Sequence, residues 1–147
     1  MPANVTLERN GRVLHYIFQD PVTFAEIFAV EEQANIYYEA AAFKLHSYFD
    51  VREMRQVPQG FLQLRKTRGL SHPKAGITVV MGASTYVQVM AEMIMRLARN
   101  DRIRFFTPLQ GNQAQEYLDQ LVVAEDSVAK PGSASGMDVA QFEKLVR

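Results

Sequence analysis

The chain has 147 residues, 48% apolar and 22% charged, and its 16 basic residues balance 16 acidic ones. This is the composition of one globular domain, and it excludes a wholly disordered or collagen-like chain. The lack of cysteine excludes disulfides, thiolate zinc sites and cysteine nucleophiles. Zero net charge disfavours a nucleic-acid partner. Without a membrane-length apolar run or a signal-peptide pattern, we expect a cytoplasmic protein with no membrane span.

The first predicted elements are a hairpin and a helix. Strands over 5–9 and 12–18 flank Asn10-Gly11, which favours the positive φ angles of a type I′ turn. A helix over 22–42 follows, with Asp20 or Thr23 as its cap. Its acidic residues, Glu31, Glu32 and Glu39, are predicted to lie off the apolar face. That face, spaced by threes and fours, comprises Phe24, Ile27, Val30, Ala34, Tyr37 and Ala41.

The remaining elements alternate between strand and helix. A strand over 43–49 ends at Asp50, and a short helix is predicted over 58–70. The β-branched run 77–81 is typical of a strand covered on both faces. Ser84 is a natural N-cap for a helix to about Arg99, and a strand over 102–106 and a helix over 112–123 follow. The order β-β-α-β-α-β-α-β-α predicts an α/β fold: a single mixed, mostly parallel sheet with an N-terminal β-hairpin and helices packed on it.

The helix after Ser84 has an apolar face wider than one packing seam requires. Its core stripe is predicted to be Val87, Met90, Ile94 and Leu97. The apolar residues beside that stripe exceed what a core needs, so we predict that they contact a protein partner or a second copy in a homodimer. These interface residues are Tyr86, Val89 and Met93.

The C-terminal part of the chain differs from the rest. We divide the sequence into a domain over 1–126, a Gly-Ser-rich flexible linker over 127–136 and a short amphipathic helix over 137–147. An isolated helix of this length is marginal in water, so it is predicted to dock on its own domain, a neighbouring copy or a larger assembly. Such linkers also arise in expression fusions, and the tail would then be passive. The docking residues are Val139, Phe142, Leu145 and Val146.

Candidate chemistry is sparse. His15, His46 and His72 lack metal-ligand spacing, and Ser71-His72 lacks a nucleophile elbow. Gly82-Ala83-Ser84 joins a strand to a helix without a glycine-rich nucleotide motif. We therefore predict no catalytic residue, no metal, no cofactor and no enzyme activity.

Two charged features leave alternatives open. Asp50 either lines a site at the end of its strand, beside Glu53, or is structural: it then caps the following turn or pairs with Arg52 or Arg55. Residues 1–50 hold three basic and seven acidic residues, whereas 54–91 hold no acidic residue. The basic loop within 54–91 either binds an anion or an acidic partner or is a solvated loop. Its residues are Arg65, Lys66, Arg68 and Lys74.

Three sequence stretches, taken with the element order, carry a family resemblance. They are Tyr48-Phe49-Asp50-Val51-Arg52, His72-Pro73-Lys74 before the strand 77–81, and the strand 102–106. Over about residues 5–123 the chain resembles the STAS domain, the fold of anti-sigma-factor antagonists and of the cytoplasmic domains of sulfate transporters. It is most similar to the divergent bacterial branch called STAS-like or SEC14-like.

The resemblance implies a non-enzymatic interaction or regulatory module. A regulatory STAS domain carries a phosphorylatable serine after the strand that Asp50 is predicted to end, but residues 57–61 contain no hydroxyl here, so that switch is not expected. The SEC14-like likeness implies an alternative, a module that binds a small apolar ligand or lipid. A closed pocket lined by Phe61, Leu62 and Val89 would favour this alternative. A flat apolar patch on the helix after Ser84 would favour interaction with a protein.

Overall fold

A computed structural model describes residues 3–61, 63 and 72–129. These residues form a five-stranded mixed sheet with α-helices packed on it, so the predicted α/β fold is confirmed. The predicted helix over 58–70 lies largely outside the described residues, and the linker from residue 130 and the C-terminal helix lie wholly outside them. The described elements are β1 (Ala3–Glu8), β2 (Val13–Gln19), α1 (Phe24–Ala40), β3 (Leu45–Glu53), β4 (Ala75–Met81), α2 (Thr85–Leu97), β5 (Ile103–Phe106), a 3-10 helix (Pro108–Gln110) and α3 (Gly111–Ala129).

The strands lie in the sheet in the order in which they occur in the chain. The order is β1-β2-β3-β4-β5, with β1 antiparallel to β2 and the other neighbours parallel. The opening hairpin turns through Asn10 and Gly11, whose φ angles of 56° and 80° match the predicted turn. The turn is closed by a hydrogen bond of 3.2 Å from the Arg12 N–H to the Arg9 carbonyl.

Strand alternation divides the core between the two faces of the sheet. On one face, residues such as Tyr16 and Val80 pack against α1 and α2. On the other face, Val13 and Val79 pack against Leu118 of α3. Among the described elements, two helices therefore cover one side of the sheet and one helix covers the other.

The N-caps of α1 and α2 follow the sequence. Thr23 and Glu26 form a reciprocal capping box at the start of α1. The Ser84 hydroxyl accepts a hydrogen bond of 3.2 Å from the Val87 N–H at the start of α2. Both hydroxyls satisfy backbone groups that a helix start would otherwise leave unpaired.

The buried face of α1 differs from the predicted one. Glu31 was expected off the apolar face but is buried, and Tyr38 replaces Tyr37 as the fully buried tyrosine. The reason is helical geometry, because positions four apart share a face and Glu31 follows Ile27 by four. The buried residues are Ile27, Val30, Glu31, Ala34 and Tyr38.

Three further boundaries or faces differ from expectation. Leu97 points to solvent and Met95 is buried in its place on α2. β3 continues past Asp50 to Glu53, because Glu53 still pairs with Gln19 of β2 across a bulge. α3 extends beyond the predicted end at position 123 to Ala129, and so includes the first residues assigned to the linker.

Candidate functional site

Asp50 forms an ion pair with Arg52 two residues along the same strand. The Arg52 guanidinium donates to both carboxylate oxygens, at 3.0 and 2.8 Å, and the Arg52 backbone N–H donates to one of them at 3.3 Å. Burial acts to raise the pKa of the Asp50 carboxyl, but the Arg52 hydrogen bonds outweigh it and hold that pKa below its ordinary value. Of the two interpretations left open, the structure therefore supports the structural one, with Arg52 as the partner. Arg55 instead donates its backbone N–H to Asp20, at 2.8 Å.

The sheet order also argues against a ligand crevice beside Asp50. In open α/β sheets, such crevices form where neighbouring connections leave the sheet on opposite sides, at a reversal of strand order. The parallel strands β2 to β5 follow one another without a reversal. Arg52 also packs against Gly82 at this edge, where a side chain in place of Gly82 would overlap it.

The three histidines lie apart and each has a carboxylate partner. His46 is buried and bonds through Nε2 to Glu125, while its Nδ1 accepts from the Ile77 N–H at 2.9 Å. His15 and His72 contact Glu8 at 2.9 Å and Glu39 at 3.2 Å. No cluster of three or more metal-ligating side chains occurs among the residues the structure describes.

The basic loop is described only at its end. Arg65, Lys66 and Arg68 lie outside the described residues. Lys74 is half-buried, and its ammonium group donates to the Ala41 carbonyl just after α1. In this position Lys74 satisfies a carbonyl that the helix end leaves unpaired.

An apolar cavity lies between the sheet and the two helices α1 and α2. The space in it that the centre of a water-sized sphere can occupy is about 90 Å³. Of the three residues whose closed pocket would favour a small apolar ligand, Phe61 lines this cavity, Val89 lies on the far side of α2, and Leu62 lies outside the described residues. The sheet contributes Phe18, Phe49, Val51, Thr78, Val80 and Ile103, and α2 contributes Val87, Ala91, Ile94 and Met95.

Among the described residues that line this cavity, Glu31 of α1 is the only charged one. It is 8% exposed. Burial, with a smaller contribution from the neighbouring Glu32, raises the pKa of its carboxyl from 4.5 to about 7. Burial also raises the pKa of the Tyr38 hydroxyl to about 12 and that of Tyr16 well above its ordinary value, and the Glu31 charge adds to both increases. A carboxyl that titrates near neutral pH therefore faces an apolar space.

The outer face of α2 is apolar as well. Tyr86, Val89 and Met93, the predicted interface residues, are all exposed, and Leu97 joins them. Their exposed fractions lie between 40% and 55%. The spacing of three, four and four places them in one line along the helix. The predicted docking residues Val139, Phe142, Leu145 and Val146 lie outside the described part of the chain.

Sequence reasoning missed Glu31 because it treated a charged residue as a surface residue. The signal was present in the spacing, since Glu31 stands four residues after Ile27 and three before Ala34.

Comparison with known proteins finds no matching family model, no similar curated protein and no similar solved structure. Over the described residues, every helix is too short or too polar to cross a membrane.

Proposed function

We propose that this chain is a cytoplasmic, non-enzymatic interaction module of STAS-like type that pairs with a second copy of itself through the outer face of α2. The observation that carries the proposal is the line of exposed apolar side chains Tyr86, Val89, Met93 and Leu97. Large apolar side chains left in water contribute about 1.5–3 kcal/mol each when they become fully buried. Four of them in line provide the centre of an interface.

The line is self-complementary under two-fold symmetry. It spans eleven residue steps, which is about 17 Å of helix. In an antiparallel pair of α2 helices, Tyr86 lies opposite Leu97 of the partner subunit, and Val89 lies opposite Met93 of the partner subunit. A two-fold interface requires this kind of match, because the same patch must serve both copies.

The test is the mass in solution at micromolar concentration, measured by light scattering during gel filtration. We expect twice the chain mass of 16.7 kDa for the wild type. The double variant Val89→Glu, Met93→Glu places two charges in the middle of the line and should give the mass of one chain.

A matched control adds the same charge elsewhere. Gln113 and Gln120 are exposed on α3, on the opposite side of the sheet, so the double variant Gln113→Glu, Gln120→Glu, which also adds two charges, should keep the dimer mass. A wild-type protein with the mass of one chain would contradict the proposal, and so would a double variant that keeps the dimer mass.

A second candidate function is binding of a small apolar ligand. The cavity between the sheet, α1 and α2 favours it, because ligand sites are typically apolar spaces with few polar groups. This candidate is compatible with the first, since the cavity and the exposed line occupy opposite faces of α2.

A further inference from the structure

Glu31 is a buried charged residue on the wall of an apolar cavity. The residue is 8% exposed and lines the cavity beside apolar side chains of the sheet and of α2. Its burial raises the pKa of the carboxyl. An ionised carboxylate beside apolar walls is costly, and a ligand of opposite charge in the cavity would offset that cost.

The surroundings of Glu31 select the kind of ligand. Among the described residues lining the cavity, none is basic, and α2 contributes only apolar side chains there. The groups that interact electrostatically with Glu31 are Glu32 on α1 and the hydroxyls of Tyr16 on β2 and Tyr38 on α1, and the Arg102 charge acts in turn on Tyr38. Among the described residues of the cavity wall, no cation offsets the like charge that an anionic head group would meet, whereas a cationic head group would pair with the carboxylate.

We propose that the cavity between the sheet, α1 and α2 binds an aliphatic amine, with the ammonium group paired to the Glu31 carboxylate and the hydrocarbon chain against the apolar walls. The apolar walls supply affinity by removing the chain from water. Glu31 supplies specificity, because its negative charge is satisfied only when the head group is cationic.

The site goes beyond self-association and is separable from it. Glu31 and Ala91 face the cavity, whereas Val89 and Met93 face solvent on the other side of α2. The Val89→Glu, Met93→Glu variant should therefore bind the amine as the wild type does. A wild-type protein with the mass of one chain would contradict the dimer but not the ligand site. A cavity that binds no amine would contradict the ligand site but not the dimer.

The experiment compares three probes of equal chain length by calorimetry: octylamine, octanol and octanoic acid. At about pH 8.5, above the Glu31 pKa of about 7, octylamine should bind about 10- to 100-fold more tightly than octanol, as expected for one charged hydrogen-bonded pair. Octanoic acid should bind more weakly than octanol. At about pH 5.5, where Glu31 is protonated, the preference for the amine should shrink.

Two variants test where the probes bind. Glu31→Gln keeps the shape of the side chain and should remove the amine preference at both pH values while leaving octanol binding unchanged. Ala91→Leu fills the cavity and should weaken all three probes. The proposal is wrong if octanoic acid binds as tightly as octylamine, if no probe binds, or if Glu31→Gln binds octylamine as the wild type does.

A spectroscopic measurement on the wild type covers the case in which Glu31→Gln does not fold. The carboxyl carbon of Glu31 can be followed by NMR as the pH is changed. Saturating octylamine should lower the pKa of Glu31 by at least about one unit, because the ammonium group favours the charged form. A pKa that does not respond to octylamine would overturn the proposal.

Discussion

The Nδ1 atom of His46 accepts a hydrogen bond of 2.9 Å from the backbone N–H of Ile77 on the neighbouring strand. An atom that accepts this bond carries no proton, so the ring proton of His46 lies on Nε2 and is donated to Glu125. Gly76 makes the contact possible, since a side chain there would overlap the imidazole ring. The His46 ring thereby joins β3 to β4 and to the end of α3.

The first prediction is that His46→Phe lowers the free energy of unfolding by about 1–3 kcal/mol, because it leaves the buried Ile77 N–H unpaired. Thermal or urea unfolding measures the change. His15→Phe is the matched control: the lost partner Glu8 is exposed, so the cost should stay within about 0.5 kcal/mol. Nitrogen NMR of the wild type should show the His46 proton on Nε2, and a proton on Nδ1 would contradict the assignment.

The second prediction concerns pH and Glu31. Its pKa is raised from 4.5 to about 7 in the folded protein, so the folded state holds the proton more tightly than the unfolded state. The contribution of Glu31 to the free energy of unfolding is therefore fully present below about pH 4.5. It falls by roughly 3 kcal/mol in total as the pH rises through about 7. Glu31→Gln removes this loss and should be the more stable protein above pH 7.

Glu32→Gln serves as the control for that measurement, because Glu32 is the exposed neighbour of Glu31. It should change the pH dependence only slightly. Urea unfolding from about pH 4 to pH 8 gives both curves. Parallel curves for Glu31→Gln and the wild type would show that Glu31 is not the titrating group.

The third prediction is that Asp50→Asn weakens the fold without affecting self-association. The ion pair with Arg52 is partly solvated, since the Arg52 side chain is more than half exposed, so the loss should be at most about 1 kcal/mol. The pKa of Asp50 is lowered in the folded protein, so ionised Asp50 stabilises the fold at any pH above the ordinary pKa of the group. This stabilisation is lost as the pH falls through the pKa that Asp50 has in the folded protein. A stable Asp50→Asn protein that no longer dimerised would place the interface at this edge instead of on α2.

The fourth prediction pairs two glycines. Gly82 has a φ angle of +86° and lies against Arg52, so Gly82→Ala should destabilise the protein by about 1–3 kcal/mol through strain and overlap. Gly111 begins α3 with open space around its Cα, and Gly111→Ala should leave stability unchanged or raise it by up to about 1 kcal/mol. Equal effects of the two substitutions on the melting temperature would refute this account.

Much of the fold was accessible from local sequence signals. Asn10-Gly11 predicted the hairpin turn, and Ser84 predicted the start of α2, because these residues satisfy local backbone requirements. The pattern of α2 also placed Tyr86, Val89 and Met93 outside the core, where the structure has them, but it misplaced Leu97. Leu97 and Met95 are chemically similar, and only their positions relative to the sheet make one exposed and the other buried.

The ligand cavity was the least predictable feature. It arises where side chains of α1, α2 and four strands fail to meet, and no sequence pattern encodes that space. Glu31 could have been placed on the buried face by counting residues from Ile27. The sequence analysis placed Glu31 at the surface instead, because buried carboxylates are rare.

The packing of α3 has a consequence for synthesis of the chain. All strand pairings join neighbours in sequence, so the sheet can grow as the polypeptide leaves the ribosome. The last helix, however, returns to the first hairpin: Asp119 bonds to Arg9, 110 positions earlier, and Glu125 to Arg12, 113 positions earlier. Until α3 has emerged, one apolar side of the sheet stays uncovered on the nascent chain. Aggregation is therefore most favoured during that interval, when a chaperone would bind the uncovered strands.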